Sequence, residues 1–341
     1  MSKLFTPYNV KGLSLKNRIV MAPMCQYSVE AKDGIPNDWH FVHYVSRAVG
    51  GTGLIIVEMT DVEPDGRITD YDLGLWSDEQ IPAYARIVTE VHKHDAKIGI
   101  QIAHAGRKAT DADQPISSSN LPVESDGTWK KPRPLTIEEI KEMVNKYKEA
   151  ARRAVDAGFD TIELHGAHGY LIHQFHSPSI NNRTDEYGDN YAKFGVEVIK
   201  AVKSVMPEDM PLLFRISAIE YIDGGYGLEH SLEIAKQYKE AGVDVFHVSS
   251  GGEANPGKVK PANTPGYQVP FARAYKQALD LPVIAVGILE DPILAEKTMA
   301  EEDIELVAIG RGMLKDPYWA LHTQEILDGK ATVPKAYKRG F

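Results

Sequence analysis

The chain has 341 residues, of which 43% are hydrophobic and 25% are charged. This composition is typical of a globular protein and excludes disordered, collagen-like, coiled-coil and disulfide-scaffold classes. The formal net charge is −10, and no basic run is longer than two residues, as at Lys130-Lys131 and Lys338-Arg339. Nucleic acid and an anionic membrane surface are therefore not expected as partners.

Cys25 is the only cysteine. A single thiol excludes an intrachain disulfide and a cysteine-held zinc or iron–sulfur site. The first residues lack the apolar core of a signal peptide, and no apolar run approaches the ~20 residues of a membrane helix. We expect a cytoplasmic location.

Short apolar runs that end in glycine or polar residues recur along the chain and predict eight strands. These runs are 18–22, 53–57, 97–102, 159–164, 211–216, 243–248, 282–286 and 305–309. Continuous runs, rather than alternating patterns, are expected of parallel strands that are buried on both faces.

Helical periodicity fills most of the intervals between these strands. The predicted helices are 79–94, 137–157, 190–205, 228–241, 292–300 and 317–327. Thr136 followed by Glu139 predicts a capping box at the start of the second of these helices. Gly158 and Gly242 directly follow helices, where glycine commonly adopts the left-handed conformation that ends them.

Eight strands that alternate with helices predict a (β/α)8 TIM barrel, with the whole chain as one domain. A doubly wound open sheet is the alternative, although no G-x-G-x-x-G follows the first strand. The stretch 111–135 is rich in Ser, Pro and Asp. It is too long for a plain connection between a strand and a helix, so we expect a lid-like excursion across the barrel mouth between strands 3 and 4.

The carboxyl ends of the strands form the active site in this fold. Gly287 and Gly310-Arg311 follow the last two strands. Glycine lets backbone N–H groups approach an anion closely, and arginine can bind phosphate bidentately. The sequence therefore predicts a phosphorylated ligand, although either glycine alone could simply turn the chain.

His165 and His168 follow strand 4 and can face one small ligand. Three interpretations remain open: ordinary surface histidines, a metal site completed by His173 and His176, or donors to a carbonyl or nitro oxygen. Tyr170 could supply a proton to the same ligand. Arg215 could supply positive charge and Cys25 faces the site, although a packing tyrosine, an interior ion pair and a buried thiol are the simpler alternatives.

Several strings together resemble the Old Yellow Enzyme family of flavin-dependent ene-reductases, in its bacterial NADPH dehydrogenase branch. They are Ala22-Pro23-Met24-Cys25, His104-Ala105-Gly106-Arg107, His165 to Tyr170, and Asn182 to Gly188. The resemblance extends over nearly the whole chain, and it is specific because the strings occur together.

The resemblance implies FMN as cofactor and NADPH as hydride donor. It places the FMN phosphate at Gly310-Arg311 and the pyrimidine end of the flavin at Arg215. The residues that it places around the flavin ring are Ala22, Pro23, Met24, Cys25, Met59, Gln101 and Arg215. Where Met59 stands, the family usually has a smaller residue.

The resemblance also implies a substrate site for activated alkenes and nitro compounds. His165 and His168 would hold the substrate oxygen, Tyr170 would donate the proton, and Tyr27 would contact the substrate. Arg339, in the tail 330–341, would reach the site of a neighbouring subunit in a homotetramer. A metal-dependent hydrolase on the same barrel and a non-catalytic flavin or phosphate binder remain the alternatives.

Overall fold

The computed structural model describes residues 2–340. Within them, eight parallel strands form the barrel: β1 (Ile19–Met21), β2 (Leu54–Asp61), β3 (Lys97–Ala103), β4 (Thr161–Gly166), β5 (Leu212–Ser217), β6 (Val245–Ser249), β7 (Val283–Ala285) and β8 (Leu306–Ile309). Strand β1 pairs in parallel with both β2 and β8, which closes the sheet. The (β/α)8 prediction is confirmed, and the open-sheet alternative is wrong.

Each predicted strand coincides with an observed one, but β2 continues to Asp61, past its predicted end at residue 57. The extension was missed because its residues are largely polar, so the apolar run ends before the strand does. A register shift between Val57 and Met59 marks a bulge where β2 pairs with β3. Glu58 and Met59 therefore lie within the strand and not in the loop that follows it.

Eight helices of ten or more residues pack around the barrel in the described part of the chain. They are α1 (Asp38–Val49), α2 (Ile81–His92), α3 (Ile137–Asp156), α4 (Lys193–Lys203), α5 (Leu228–Ala241), α6 (Val269–Leu279), α7 (Pro292–Glu301) and α8 (Trp319–Asp328). Gly242, which follows α5, has the expected positive φ of 121°. Between residues 2 and 340 no helix is both long enough and apolar enough to cross a membrane.

Helices α1 and α6 were not predicted from the sequence. Helix α1 buries His40, His43, Tyr44 and Arg47, so its inner face has helical spacing but carries largely polar residue types. Helix α6 has a proline near its start. The first turn of a helix tolerates proline because the N–H groups there have no partner within the helix, and α2, which was predicted, also has a proline near its start.

The bottom of the barrel is closed by an N-terminal hairpin, in which Tyr8–Val10 pairs with Leu13–Leu15. Leu13 and Leu15 pack inside the barrel in one apolar cluster. The other buried members of that cluster come from the strands and are Val20, Ala22, Leu54, Ile56, Leu213, Val245, Ile284, Leu306 and Ala308. Burial of this apolar layer stabilises the closed end and leaves the opposite end for polar groups.

The excursion 111–135 contacts the segments that follow β3 and β4. Its ends are joined where Ile116–Ser117 pairs with Arg133–Pro134. Ser118 Oγ donates to the carbonyl oxygen of Gln174 at 2.7 Å. Arg107 Nη1 donates to the carbonyl oxygen of Pro122 at 3.0 Å, which ties the excursion to the loop after β3.

Helix α3 begins with the predicted capping box, which provides a test of local stability. Thr136 Oγ accepts from the Glu139 N–H at 3.2 Å, and the Thr136 N–H donates to Glu139 Oε2 at 2.9 Å. We expect Thr136→Ala to lower the free energy of unfolding by about 1 kcal/mol in urea titrations, and Thr136→Ser to retain most of it. Equal stability of the two variants would contradict a capping role.

Candidate active site

Inward-facing side chains change from apolar to polar as the strands approach the mouth. Alternate residues of a strand point to the same side, so Arg215 stands two positions above Leu213 on β5. Likewise, His247 and then Ser249 follow Val245 on β6. The apolar cluster that contains Leu13 and Leu15, which we call the apolar plug, therefore lies beneath a polar layer at the carboxyl ends of the strands.

A cavity of about 250 Å³ opens above this plug, beside β1 and β5 to β8. Its walls contain eight of the residues singled out from the sequence: Ala22, Pro23, Met24, His168, Arg215, Gly287, Gly310 and Arg311. They are joined by residues to which the sequence analysis assigned no role, including Ser249, Ser250, Tyr267, Gln268 and Glu290. A signal for two of these was present, because Ser249-Ser250 directly follows the predicted strand 6.

One end of the cavity fits an anion. Gly287 has a φ of 125°, a conformation that other residues rarely adopt, and a Cβ there would meet Gln268 Cβ at 3.1 Å. Gly310 precedes a short helix, Arg311–Lys315, and Arg311 is exposed at the cavity wall. Close backbone approach beside a guanidinium is the chemistry that a phosphate group requires.

Arg215 supplies positive charge deeper in the cavity. Its Nε is buried and has no hydrogen-bond partner within residues 2–340. Burial lowers the pKa of the guanidinium, and the nearby charge of Glu163 opposes that shift. A half-buried cation with an unpaired N–H at a cavity wall favours a ligand group that is anionic or accepts hydrogen bonds.

His165, His168 and Tyr170 come together beside this cavity. The ring centroids of the two histidines are 5.2 Å apart, and those of His165 and Tyr170 are 4.8 Å apart. His168 has a φ of 57°, and its N–H donates to Ser217 Oγ at 3.1 Å. Its Nε2 lies 2.8 Å from Ser249 Oγ. The loop after β4 thus holds the imidazoles and the phenol in one group.

The protonation states of this group follow from its surroundings. Burial lowers the pKa of both imidazoles well below the ordinary value, and the charge of Arg215 lowers it further. Burial also raises the pKa of the Tyr170 phenol well above its usual range. At neutral pH each histidine is therefore neutral and carries one N–H, and Tyr170 keeps the proton that it could transfer.

Cys25, Tyr27 and Met59 lie beside Tyr170 in a group that we call the Cys25 wall, and none of the three is among the residues that line the cavity. Cys25 and Tyr170 pack against a small apolar cluster that contains Met59. Burial raises the pKa of the Cys25 thiol well above its usual range, and the charge of Glu58 adds to this effect. Cys25 is therefore a thiol rather than a reactive thiolate. Tyr27 shares a side-chain hydrogen bond with Cys25 and is 48% exposed at the rim.

Gln101 lies in the polar layer, whereas Arg339 does not join the cavity. The Gln101 amide Nε2 donates to Glu163 Oε1 at 2.7 Å, so Glu163 faces the barrel interior and not the helices. Arg339 is exposed in the C-terminal segment and is not among the residues that line the cavity. The last residue of the tail 330–341 lies outside the described residues.

Glu58 supports the Cys25 wall in a role that the sequence analysis did not assign. It is 1% exposed, and its two carboxylate oxygens accept from the Gln26 N–H and from the Tyr44 hydroxyl. These bonds hold the chain directly after Cys25. Burial raises the pKa of Glu58 to about 8.

A metal at His165 and His168 was one interpretation of the sequence, but the possible metal cluster in the structure lies at other residues. Within residues 2–340, the one cluster able to hold an ion comprises His173, Glu220 and Glu253, whose ligand atoms lie within 4.8 Å of one another. Arg107 lies within electrostatic reach of both carboxylates of this cluster. The cluster therefore already has an internal cation to balance its charge.

A larger groove of about 550 Å³ lies on the outer face of the barrel, between α6 and α7. Residues from these helices line it, including Val269, Pro270, Leu294 and Thr298. We place the site in the smaller cavity because His168 and Arg215 line it. The ring of His165 packs beside His168, and that of Tyr170 packs beside His165.

Comparison with known proteins agrees with this geometry. The family described as NADH:flavin oxidoreductase / NADH oxidase matches residues 3–329. The chain is 49% identical to the NADPH dehydrogenase of Listeria innocua, with 100% of both chains covered. It is 44% identical to the NADPH dehydrogenase of Bacillus subtilis, with 99% of both covered. Among solved structures, morphinone reductase matches with a TM-score of 0.81 and 28% identity, over 98% of this chain and 91% of that one.

The raised pKa of Glu58 makes stability depend on pH in a defined direction. The folded protein keeps this proton up to about pH 8, whereas a carboxyl with the ordinary pKa of 4.5 has already lost it. Between these values the native state binds more protons, so the free energy of unfolding falls as the pH rises. We expect Glu58→Gln to make this fall shallower.

The measurement is urea unfolding at several pH values between 5 and 8. Glu30→Gln, which alters an exposed carboxylate, is the control and should keep the wild-type slope. A wild-type slope in Glu58→Gln would contradict the assignment of this proton.

Proposed function

Because the chain belongs to the NADH:flavin oxidoreductase / NADH oxidase family, the Old Yellow Enzyme family, we propose that it is an ene-reductase. As an FMN-dependent NADPH dehydrogenase of this family, it would reduce the C=C bond of α,β-unsaturated aldehydes, ketones and nitro compounds by a ping-pong sequence. The observation that carries the proposal is the contact of His165, His168 and Tyr170 beside a cavity that also presents Arg215.

The residues present fit FMN. Gly287, Gly310 and Arg311 would hold its phosphate, because close backbone approach and a guanidinium meet at that end of the cavity. Arg215, whose Nε has no partner among residues 2–340, would stabilise negative charge at the pyrimidine end. The remaining contacts that we propose around the ring are Ala22, Pro23, Met24, Cys25, Met59 and Gln101. When bound, FMN supplies the hydride chemistry between NADPH and the alkene.

The substrate oxygen would bind between the two histidines. Neutral imidazole N–H groups can donate to a carbonyl or nitro oxygen, and these bonds strengthen as negative charge develops there. Tyr170 would then deliver its proton to the α-carbon, since its raised pKa keeps the phenol protonated until a stronger base forms beside it. Tyr27 lies at the rim, where it would contact the substrate.

Further parts of the proposal concern the protein as a whole. We propose residues 1–341 as one FMN-binding domain in a homotetramer, with the tail 330–341 carrying Arg339 to a neighbouring site. A single cysteine supports a reducing, cytoplasmic location, and removal of reactive alkenes would serve detoxification. Family membership favours an oxidoreductase over the metal-dependent hydrolase and the non-catalytic binder.

Tyr170→Phe separates the two half-reactions. We expect alkene reduction, followed by stopped-flow absorbance with 2-cyclohexenone, to slow by about 10²-fold, because the proton donor is lost. Reduction of the bound flavin by NADPH should stay within about twofold of wild type, since that step needs no proton from Tyr170.

Tyr147→Phe is the matched control, because it removes a buried hydroxyl that has no hydrogen-bond partner within residues 2–340. It should leave both half-reactions unchanged. An equal loss in the two half-reactions of Tyr170→Phe would refute the proton-donor role.

A further inference from the structure

The polar layer beneath the cavity contains a buried carboxylate that the mechanism above does not use. Glu163, on β4, is 0% exposed. Its Oε1 accepts from Gln101 Nε2 at 2.7 Å, and its Oε2 lies 2.8 Å from His247 Nδ1. One side chain thus connects residues of β3, β4 and β6.

These contacts fix which way the Gln101 amide faces. An amide has an oxygen that only accepts and a nitrogen that only donates. Because Nε2 donates to Glu163, a flipped amide would place its oxygen against a carboxylate oxygen and leave both without a donor. Gln101 therefore keeps its Oε1 and its second N–H free for another partner.

His247 holds the other carboxylate oxygen in place. Burial lowers the pKa of this imidazole, so it is neutral and carries one N–H. A carboxylate can only accept, which puts that hydrogen on Nδ1. With one donor on each oxygen, the plane of the Glu163 carboxylate cannot rotate without losing a bond.

Glu163 also acts on Arg215 through its charge. Arg215 lies on β5, between β4 and β6, where its register partners are His165 and His247. The charge of Glu163 is the largest influence that stabilises the charged form of Arg215. Burying a carboxylate costs free energy unless a nearby opposite charge and hydrogen-bond donors compensate for the lost water.

We propose that Glu163 is a positioning residue, which orients the amide of Gln101 and offsets the charge of Arg215, and that it thereby sets FMN affinity and the flavin reduction potential. The inference rests on the proposed function, because it takes Gln101 and Arg215 as contacts of the flavin ring.

Two substitutions separate the two effects. Glu163→Gln removes the charge but keeps an acceptor for Gln101, so the midpoint potential of the bound flavin should become more positive while FMN affinity changes little. Glu163→Asp keeps the charge but withdraws the carboxylate from Gln101. It should weaken FMN binding by about tenfold, with little change in potential.

FMN affinity is measured by fluorescence quenching on the flavin-free protein, and the potential by spectroelectrochemistry on the holoprotein. Glu220→Gln is the matched control, because Glu220 is also a buried carboxylate, and its Oε1 lies 2.8 Å from a histidine nitrogen, His173 Nε2. It should leave both quantities unchanged. Equal shifts of the potential in Glu163→Gln and Glu220→Gln would overturn the charge effect.

A double-mutant cycle tests whether Glu163 acts through Gln101. In a Gln101→Leu background, Glu163→Asp should add little further loss of FMN affinity. A full additional loss would overturn the orienting role. If the Glu163 variants do not fold, Gln101→Leu alone still tests the orienting role. Unchanged FMN affinity in that variant would refute the role.

Failure of the proposed function has a separate signature. A wild-type protein that binds FMN but does not pass electrons from NADPH to an activated alkene would refute that function. The affinity and potential measurements on the Glu163 variants do not depend on this turnover.

Discussion

Closure of the parallel sheet is the constraint on which the site depends. Once β8 pairs with β1, every second side chain of each strand is enclosed in the barrel and has no solvent to face. The lower positions are filled by the apolar cluster with the N-terminal hairpin, which leaves the upper positions to converge at one mouth. Arg215, Gln101 and Glu163 meet there because strand register brings them together.

Desolvation at that mouth has different consequences for different residues. It removes charge from the two imidazoles and keeps the Tyr170 phenol and the Cys25 thiol protonated. The charges that persist, on Arg215 and Glu163, are placed where hydrogen bonds or a ligand can use them. The site therefore combines neutral hydrogen-bonding groups with fixed charges, which is what the proposed function requires.

The sequence predicts the parts of this arrangement that depend on local pattern. Buried parallel strands are continuous apolar runs, and the residues after them form the mouth, so Gly287, Gly310 and Arg311 could be placed near one another in advance. The contacts of Gln101 and His247 with Glu163 could not, because they join three strands and depend on side-chain direction. The extension of β2 and the inner face of α1 could not be predicted either. The buried residues there are largely polar, so the sequence shows no apolar pattern.

The most direct measurement is the visible absorption spectrum of the purified protein without oxygen, recorded before and after NADPH and again after an activated alkene. We predict flavin bands that bleach with NADPH and return when 2-cyclohexenone is added. Bands that bleach but do not return would contradict alkene reduction. A colourless protein that FMN cannot reconstitute would contradict the assignment of the cavity itself.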